Sequence, residues 1–102
     1  MKILQQADTL RISDLKELGA TSAQSFKDEV RKALPGCLRA IEIDLSQTSF
    51  VDSCGLGALI AIYKTARSDN DGCILRLLNP TPPVQQLLEL TRMHRLFEVI
   101  HR

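Results

Sequence analysis

The sequence predicts an α/β domain with a central mixed β-sheet, mostly parallel βαβ crossovers, and helices packed against the sheet. Apolar residues alternate at every second position in several short segments, and they recur at helical spacing in longer ones. The two kinds of segment follow each other in turn along the chain, which is typical of parallel sheets because each helix carries the chain back to the start of the next strand. We expect residues 1–102 to form one domain, since the whole sequence has the length of a single domain.

The N-terminal half begins with two short predicted strands, residues 2–5 and 9–12, which a polar turn can join as an antiparallel pair. A helix is predicted to begin at Thr21–Ser22, either of which can cap its first turn, and to end at Pro35–Gly36. Residues 40–45 alternate apolar and polar side chains and predict the next strand.

The C-terminal half is predicted to form a helix, a strand, a helix and a final strand. From Leu56 to about Arg67 the apolar residues cover a wide helical face, so this helix is expected to be largely buried. Residues 73–78 predict a buried strand. A proline-rich connection at 79–83 leads into the third helix, and residues 96–100 predict the last strand.

The charge pattern limits the classes of partner. The formal net charge is +1 and basic residues are interleaved with acidic ones, whereas proteins that neutralise nucleic-acid phosphates concentrate Lys and Arg on one face. The cluster of Arg92, Arg95 and Arg102 is expected to be a solvated edge. No apolar run approaches the ~20 residues of a membrane span, and the N-terminus becomes polar too soon for a signal peptide. We therefore expect a cytoplasmic protein with no nucleic-acid partner and no direct membrane insertion.

The three cysteines, Cys37, Cys54 and Cys73, form no C-x-x-C pair, so the sequence supports neither a zinc site nor a thioredoxin-type motif. Cys37 and Cys73 are expected to be structural, because free cysteines are commonly buried. Cys54 differs because it lies close to the predicted start of a helix, where a thiol can become reactive. Redox sensing at Cys54 and a plain requirement for a small residue there both stay open.

The most unusual segment links the strand at 40–45 to the buried helix, and from Phe50 to Gly57 it reads Phe-Val-Asp-Ser-Cys-Gly-Leu-Gly. In α/β sheets, functional loops gather at the carboxyl ends of the strands. Ser53 lies just before the predicted helix, where its hydroxyl can cap free backbone N–H groups. Gly55 and Gly57 each cost a helix about 1 kcal/mol relative to alanine. They are therefore expected to permit close packing or to leave the turn open to a partner.

Two interpretations of Ser53 remain open on the residues alone. In the first, Ser53 only caps the helix and the glycines only pack. In the second, Ser53 is phosphorylated, which adds about −1.5 to −2 charge beside a helix N-terminus that carries roughly +0.5 charge. The domain is then expected to tolerate the phosphate, whereas a partner docked over the turn is not.

The segment from Phe50 to Gly57, preceded by Ile-Asp-Leu at 43–45, resembles the signature of STAS domains, and specifically of the bacterial anti-sigma factor antagonists. The similarity extends from the helix at Thr21 through Ile100. It implies a STAS-like fold over the whole chain.

The resemblance also implies a function. Such proteins bind an anti-sigma factor and so release the sigma factor that it held. The anti-sigma factor is typically an ATP-using serine kinase that phosphorylates the serine matching Ser53, and a separate serine phosphatase removes the phosphate. The chain is then a binding protein rather than an enzyme, and it needs no cofactor of its own. The residues that the resemblance implies for partner binding are Asp52, Ser53, Cys54, Gly55, Gly57, Thr21 and Ser22.

One departure from the family concerns the region near the partner surface. Members usually carry Gly-x-Leu-Asp after the second strand, but here residues 13–18 read Ser-Asp-Leu-Lys-Glu-Leu. This difference leaves the exact partner open. The alternative function is that of a STAS interaction module in another assembly, such as a cytosolic subunit of a lipid-transport system or a stress-signalling scaffold.

Enzymatic and metal-binding interpretations have less support in the residues. A hydrolase nucleophile elbow requires glycine at the position of Val51, and only His94 and His101 are available as bases. Asp44 and Asp52 suggest a Mg²⁺ site, but aspartates at strand ends more often accept hydrogen bonds from nearby backbone N–H groups.

Overall fold

The computed structural model describes residues 1–33, 39–69 and 73–102. The strands are β1 (Lys2–Gln6), β2 (Thr9–Ser13), β3 (Glu17–Leu18), β4 (Ala40–Asp44), β5 (Phe50–Val51), β6 (Ile74–Leu78) and β7 (Glu98–Ile100). The helices are α1 (Ala23–Ala33), α2 (Ser53–Asp69) and α3 (Pro82–Leu90), and a 3-10 turn covers Met93–Arg95.

The main sheet has five strands in the order β1-β2-β4-β6-β7. Strands β1 and β2 pair antiparallel, whereas the β2–β4, β4–β6 and β6–β7 pairs are parallel. This confirms the predicted mixed sheet with parallel crossovers. Strands β3 and β5 form a separate two-stranded parallel sheet, which brings the loop after β2 beside the loop after β4.

The hydrophobic core lies on one face of the five-stranded sheet. Ile12, Ile43 and Leu77 lie in one row across neighbouring strands and have no exposed surface. Buried side chains of all three helices, such as Phe26 of α1 and Leu59 of α2, belong to the same hydrophobic cluster. The helices are thus on one side of the sheet, because each has one apolar face to bury.

Several element boundaries differ from the sequence prediction. Helix α2 begins at Ser53, three residues before Leu56, because Asp52 caps it there. The last strand begins at Glu98 instead of residue 96. The predicted end of the first helix at Pro35–Gly36 lies outside the described residues, as does Cys37, for which a structural role was expected.

Candidate functional site

The segment Phe50–Gly57, called the Ser53 turn below, joins β5 to α2 at the carboxyl end of the sheet. Strand β5 places it, since Phe50 pairs with Glu17 and Val51 with Leu18 of β3. The loop before β5 is also held on the β2–β3 side, where the buried Thr48 donates its hydroxyl hydrogen to the Leu15 carbonyl. The backbone that leads into the turn is therefore held in place.

Asp52 is the N-cap of α2. Its Oδ1 accepts a hydrogen bond from the Gly55 backbone N–H at 3.0 Å, and its carbonyl accepts the bond from Leu56 N–H at 3.0 Å. Its Oδ2 accepts a hydrogen bond from Ala20 N–H at 3.0 Å, so one carboxylate ties the helix to the turn before α1. The prediction that Ser53 caps this helix is therefore wrong: both residue types are good N-caps, and the aspartate occupies the position.

The Asp52 carboxyl is held in its charged form. Hydrogen bonds from backbone N–H groups, that of Gly55 first and that of Ala20 next, lower the pKa of this carboxyl, and partial desolvation opposes them only in part. Asp44 behaves similarly in its contacts, because its Oδ1 accepts the backbone N–H of Ser46 at 2.9 Å. Both aspartates thus make the backbone hydrogen bonds expected of strand-end aspartates.

Ser53 is the first residue of α2, and it is exposed. Within the described residues its hydroxyl makes no hydrogen bond, because Asp52 has already taken the capping position. The side chain thus contributes a reachable nucleophilic oxygen next to a helix N-terminus. This is the property that a modification site requires.

The two glycines of the turn have different reasons to be glycine. A β-carbon on Gly55 would lie 2.1 Å from the Leu18 carbonyl oxygen, so the first turn of α2 packs directly on the backbone of β3. A β-carbon on Gly57 would meet no atom of the described residues within 4 Å. Gly57 is exposed one helical turn beyond Ser53, and packing within the chain does not explain it.

The turn before α1 meets the Ser53 turn through Gly19, which sequence reasoning did not single out. A β-carbon on Gly19 would lie 2.8 Å from Cε1 of Phe50 and 3.0 Å from Oδ2 of Asp52. Phe50 itself is 50% exposed, so a large apolar side chain lies open to solvent beside the candidate site. A single glycine between strand and helix was the available signal, but it is typical of any turn.

Thr21 and Ser22 lie in this neighbouring turn and have different environments. The Ser22 hydroxyl accepts a hydrogen bond from Gly19 N–H at 3.0 Å and lies 3.4 Å from the Glu17 carbonyl oxygen, so it serves the turn itself. Thr21 is exposed. Since Ala20 N–H binds Asp52, both residues lie in a turn that is bonded to the Ser53 turn.

The two described cysteines have opposite environments. Cys54 is exposed in the first turn of α2. Cys73 is buried, and this burial raises the pKa of its thiol although the nearby Arg67 guanidinium acts in the opposite direction. The structural role expected for Cys73 agrees with this position, whereas the role of Cys54 stays a prediction.

The residues considered for other chemistries are placed as follows. His94 and His101 are both exposed, and His94 Nδ1 lies 3.4 Å from the Leu88 carbonyl oxygen. Arg92, Arg95 and Arg102 are all exposed, and Arg102 also reaches Glu42 at 3.5 Å. In the described parts of the chain, no helix is both long enough and apolar enough to cross a bilayer.

The family is decided by a match to the family model described as STAS domain, which covers residues 4–102. The chain belongs to the STAS domain family. Its fold is also that of solved STAS structures.

Four solved structures illustrate the similarity. A candidate anti-sigma factor antagonist of Thermotoga maritima is 25% identical with a TM-score of 0.83, covering 99% of this chain and 85% of its own. The anti-sigma factor antagonist SpoIIAA in its unphosphorylated form is 17% identical with a TM-score of 0.72, and the match covers 99% of this chain and 86% of SpoIIAA. SpoIIAA from Bacillus in its phosphorylated form is 18% identical with a TM-score of 0.65, and the match covers 99% of this chain and 89% of the solved one. A stressosome structure is 24% identical with a TM-score of 0.67, covering 96% and 85%.

Proposed function

We propose that this STAS domain is an anti-sigma factor antagonist that is switched off by phosphorylation of Ser53. In the unphosphorylated state it binds an anti-sigma factor with serine kinase activity and thereby releases a sigma factor. A serine phosphatase that acts on phospho-Ser53 returns it to the binding state. The chain acts by binding in the cytoplasm and is the substrate, not the enzyme, of the two modifying reactions.

The observation that carries this proposal is that the fold does not use the side chain of Ser53. Ser53 is exposed, and Asp52 makes the capping bond that Ser53 would otherwise make. Phosphorylation thus removes no hydrogen bond that the described residues use. The name of one relative supports the same reaction, since SpoIIAA has been solved in a phosphorylated form.

Electrostatics explain how one phosphate can act on binding and not on folding. The phosphate adds about −1.5 to −2 charge near the positive end of the α2 dipole, which stabilises it. The charged Asp52 carboxylate beside it opposes this gain, so the net effect on the fold is small. A partner surface that packs over Ser53 must remove water from the phosphate. The free energy of this desolvation is far larger than the effect of the solvated phosphate on the free domain.

The surface around Ser53 has features of a contact site. Gly57 leaves open space beside Ser53, and the exposed ring of Phe50 borders the turn. Exposed Cys54 is another small residue on the same helix turn. Together they form a surface of small residues with one aromatic edge, which suits close approach of a second protein. Thr21 in the neighbouring turn is the expected rim of this contact, while Asp52, Gly55 and Ser22 position it.

The test is phosphorylation by a candidate anti-sigma kinase from the same host. Purified chain is incubated with the kinase and ATP, and mass spectrometry locates the phosphate. We expect one phosphate, on Ser53, and none on the variant Ser53→Ala. The variant Thr21→Ala is the control and should be phosphorylated like the wild type. A phosphate on another residue, or none with any host kinase of this class, would exclude the switch at Ser53.

The second candidate function is that of a STAS module in another assembly. The similarity to the stressosome structure favours a stress-signalling scaffold, and a cytosolic subunit of a lipid-transport system is the other case. A pull-down from the native host separates these possibilities. Recovery of a serine kinase together with a sigma factor regulator supports the antagonist, whereas recovery of large scaffold proteins or transporter subunits supports the module.

A further inference from the structure

The face of the main sheet opposite the helices carries a row of alternating charges. The strand registers place Leu4, Arg11, Glu42, Arg76 and Glu98 side by side across β1, β2, β4, β6 and β7. The neighbours of the four charged residues along β2, β4, β6 and β7 point to the other face and join the hydrophobic core. No helix in the described residues packs on this charged face, since the buried residues of α1, α2 and α3 all join that core.

The charges of the row are only partly paired within the chain. Arg76 lies 3.5 Å from Glu42 and 3.6 Å from Glu98, and Arg102 also reaches Glu42 at 3.5 Å. Arg11 forms no ion pair within the described residues, although it is half-buried beside Glu42. Glu98 is exposed and has its second carboxylate oxygen available. One cation and one anion at opposite ends of the row therefore have unused capacity.

We propose that this charged face is a self-association surface on which two copies of the chain stack about a twofold axis parallel to the strands. Such an axis, placed between β4 and β6, reverses the order of the row in the second copy. Arg11 then faces Glu98 of the second copy, and Glu42 faces Arg76. Because the operation is twofold, each of these contacts occurs twice, as an isologous interface requires.

The shape of the charged face also fits the proposed twofold axis. Ile74 is 39% exposed on this face and pairs in register with Ala40, which is 3% exposed. The proposed axis places Ile74 of each copy over Ala40 of the other, so a protruding side chain lies over a position where no side chain protrudes. Two sheets that pack face to face in an aligned manner are a common arrangement. The contact is expected to be closest at these central strands.

A second copy fits this face better than a uniformly charged ligand. The signs alternate along the row, so a nucleic acid or an anionic bilayer would meet a carboxylate at every second position. In a reversed copy of the same row, each of the four charged positions from Arg11 to Glu98 meets an opposite charge. The Ser53 turn is on the helix side of the sheet, so the proposed dimer does not depend on the proposed phosphorylation.

The experiment measures self-association of the full chain by sedimentation velocity over a range of concentrations. The wild type is expected to form a dimer that weakens as salt rises, because exposed charges contribute to it. Arg11→Glu and Glu98→Arg are each expected to weaken the dimer by about tenfold or more, since like charges then face each other. An equimolar mixture of the two variants should dimerise again, because both contacts are then between opposite charges.

Two further variants serve as controls for this experiment. Arg31→Glu makes the same charge change on exposed α1 and should leave the dimer unchanged. Ile74→Ser removes the protruding side chain without changing any ion pair and should weaken the dimer, which keeps the proposal testable if the charge variants fold poorly. A wild type that stays monomeric at every concentration overturns the proposal. So does a dimer that Arg11→Glu and Ile74→Ser leave intact.

Discussion

Gly55 lies so close to Leu18 that a β-carbon on it would be 2.1 Å from the Leu18 carbonyl oxygen and 3.0 Å from Leu18 Cγ. The start of α2 is thereby pressed against β3, while Asp52 bonds Ala20 just beyond that strand. These two contacts hold Ser53 beside the turn that precedes α1. They connect two segments that are far apart in the sequence into one candidate site.

Gly55→Ala is expected to destabilise the fold by about 3 kcal/mol or more. The new β-carbon is fixed to the backbone of α2 and clashes with the backbone of Leu18 in β3, and neither backbone can move freely. Gly57→Ala is the matched control, since its β-carbon would enter open space. It should stabilise the protein by about 1 kcal/mol through helix propensity alone. Urea denaturation of both variants measures this difference. Similar stabilities for the two variants would contradict the close approach of α2 to β3.

Gly57 is also expected to be a position where binding and stability respond differently. Gly57→Gln adds a good helix former to the exposed face, so the free energy of unfolding should not fall. If the partner packs over this face, the longer side chain should weaken binding by about tenfold or more. Isothermal titration calorimetry with the anti-sigma partner measures the effect. Ser68→Gln at the far end of the same helix is the control, and equal binding by both variants would remove Gly57 from the interface.

Much of the fold could be predicted from the sequence because its signals are periodic. Ile41 and Ile43 alternate with polar residues, and this pattern identified β4 and its buried face. The pattern could not reveal β3 and β5, since each has two residues and pairs mainly through its backbone. Sequence period cannot identify so short a strand.

The candidate site was less predictable than the fold for a related reason. Asp52 and Ser53 are adjacent and both are favoured N-caps, so only the geometry decides which one caps the helix. Gly55 and Gly57 are equivalent in the sequence and differ only in whether Leu18 lies nearby. That distinction depends on tertiary packing. The resemblance to STAS domains supplied Ser53 as a predicted phosphorylation site, and the structure adds the reason why its hydroxyl is available.

Asp52→Asn is expected to reduce stability at neutral pH and to lose this effect in acid. The pKa of Asp52 is lowered in the folded state from its ordinary value of 3.8, so the carboxylate stabilises the fold at pH values above that ordinary value. This contribution falls as the pH drops through the lower folded pKa. The urea midpoints of wild type and variant should therefore differ at pH 7 and converge towards pH 3. Asp14→Asn, at an exposed aspartate, is the control and should show little difference at either pH. A gap between Asp52→Asn and wild type that is unchanged at low pH would mean that the charge of Asp52 is not what stabilises the turn.

Ser53→Asp is expected to separate folding from binding. An acidic side chain at the first position of α2 interacts favourably with the helix dipole, so the melting temperature should stay close to that of the wild type. Binding of the anti-sigma partner should weaken by about 100-fold or more, because burying an unpaired charge in an interface costs several kcal/mol. Ser53→Ala should bind like the unphosphorylated wild type and stay bound when kinase and ATP are added. A Ser53→Asp variant that unfolds would show that the site cannot accept negative charge. One that folds and binds at full strength would place the partner elsewhere on the domain.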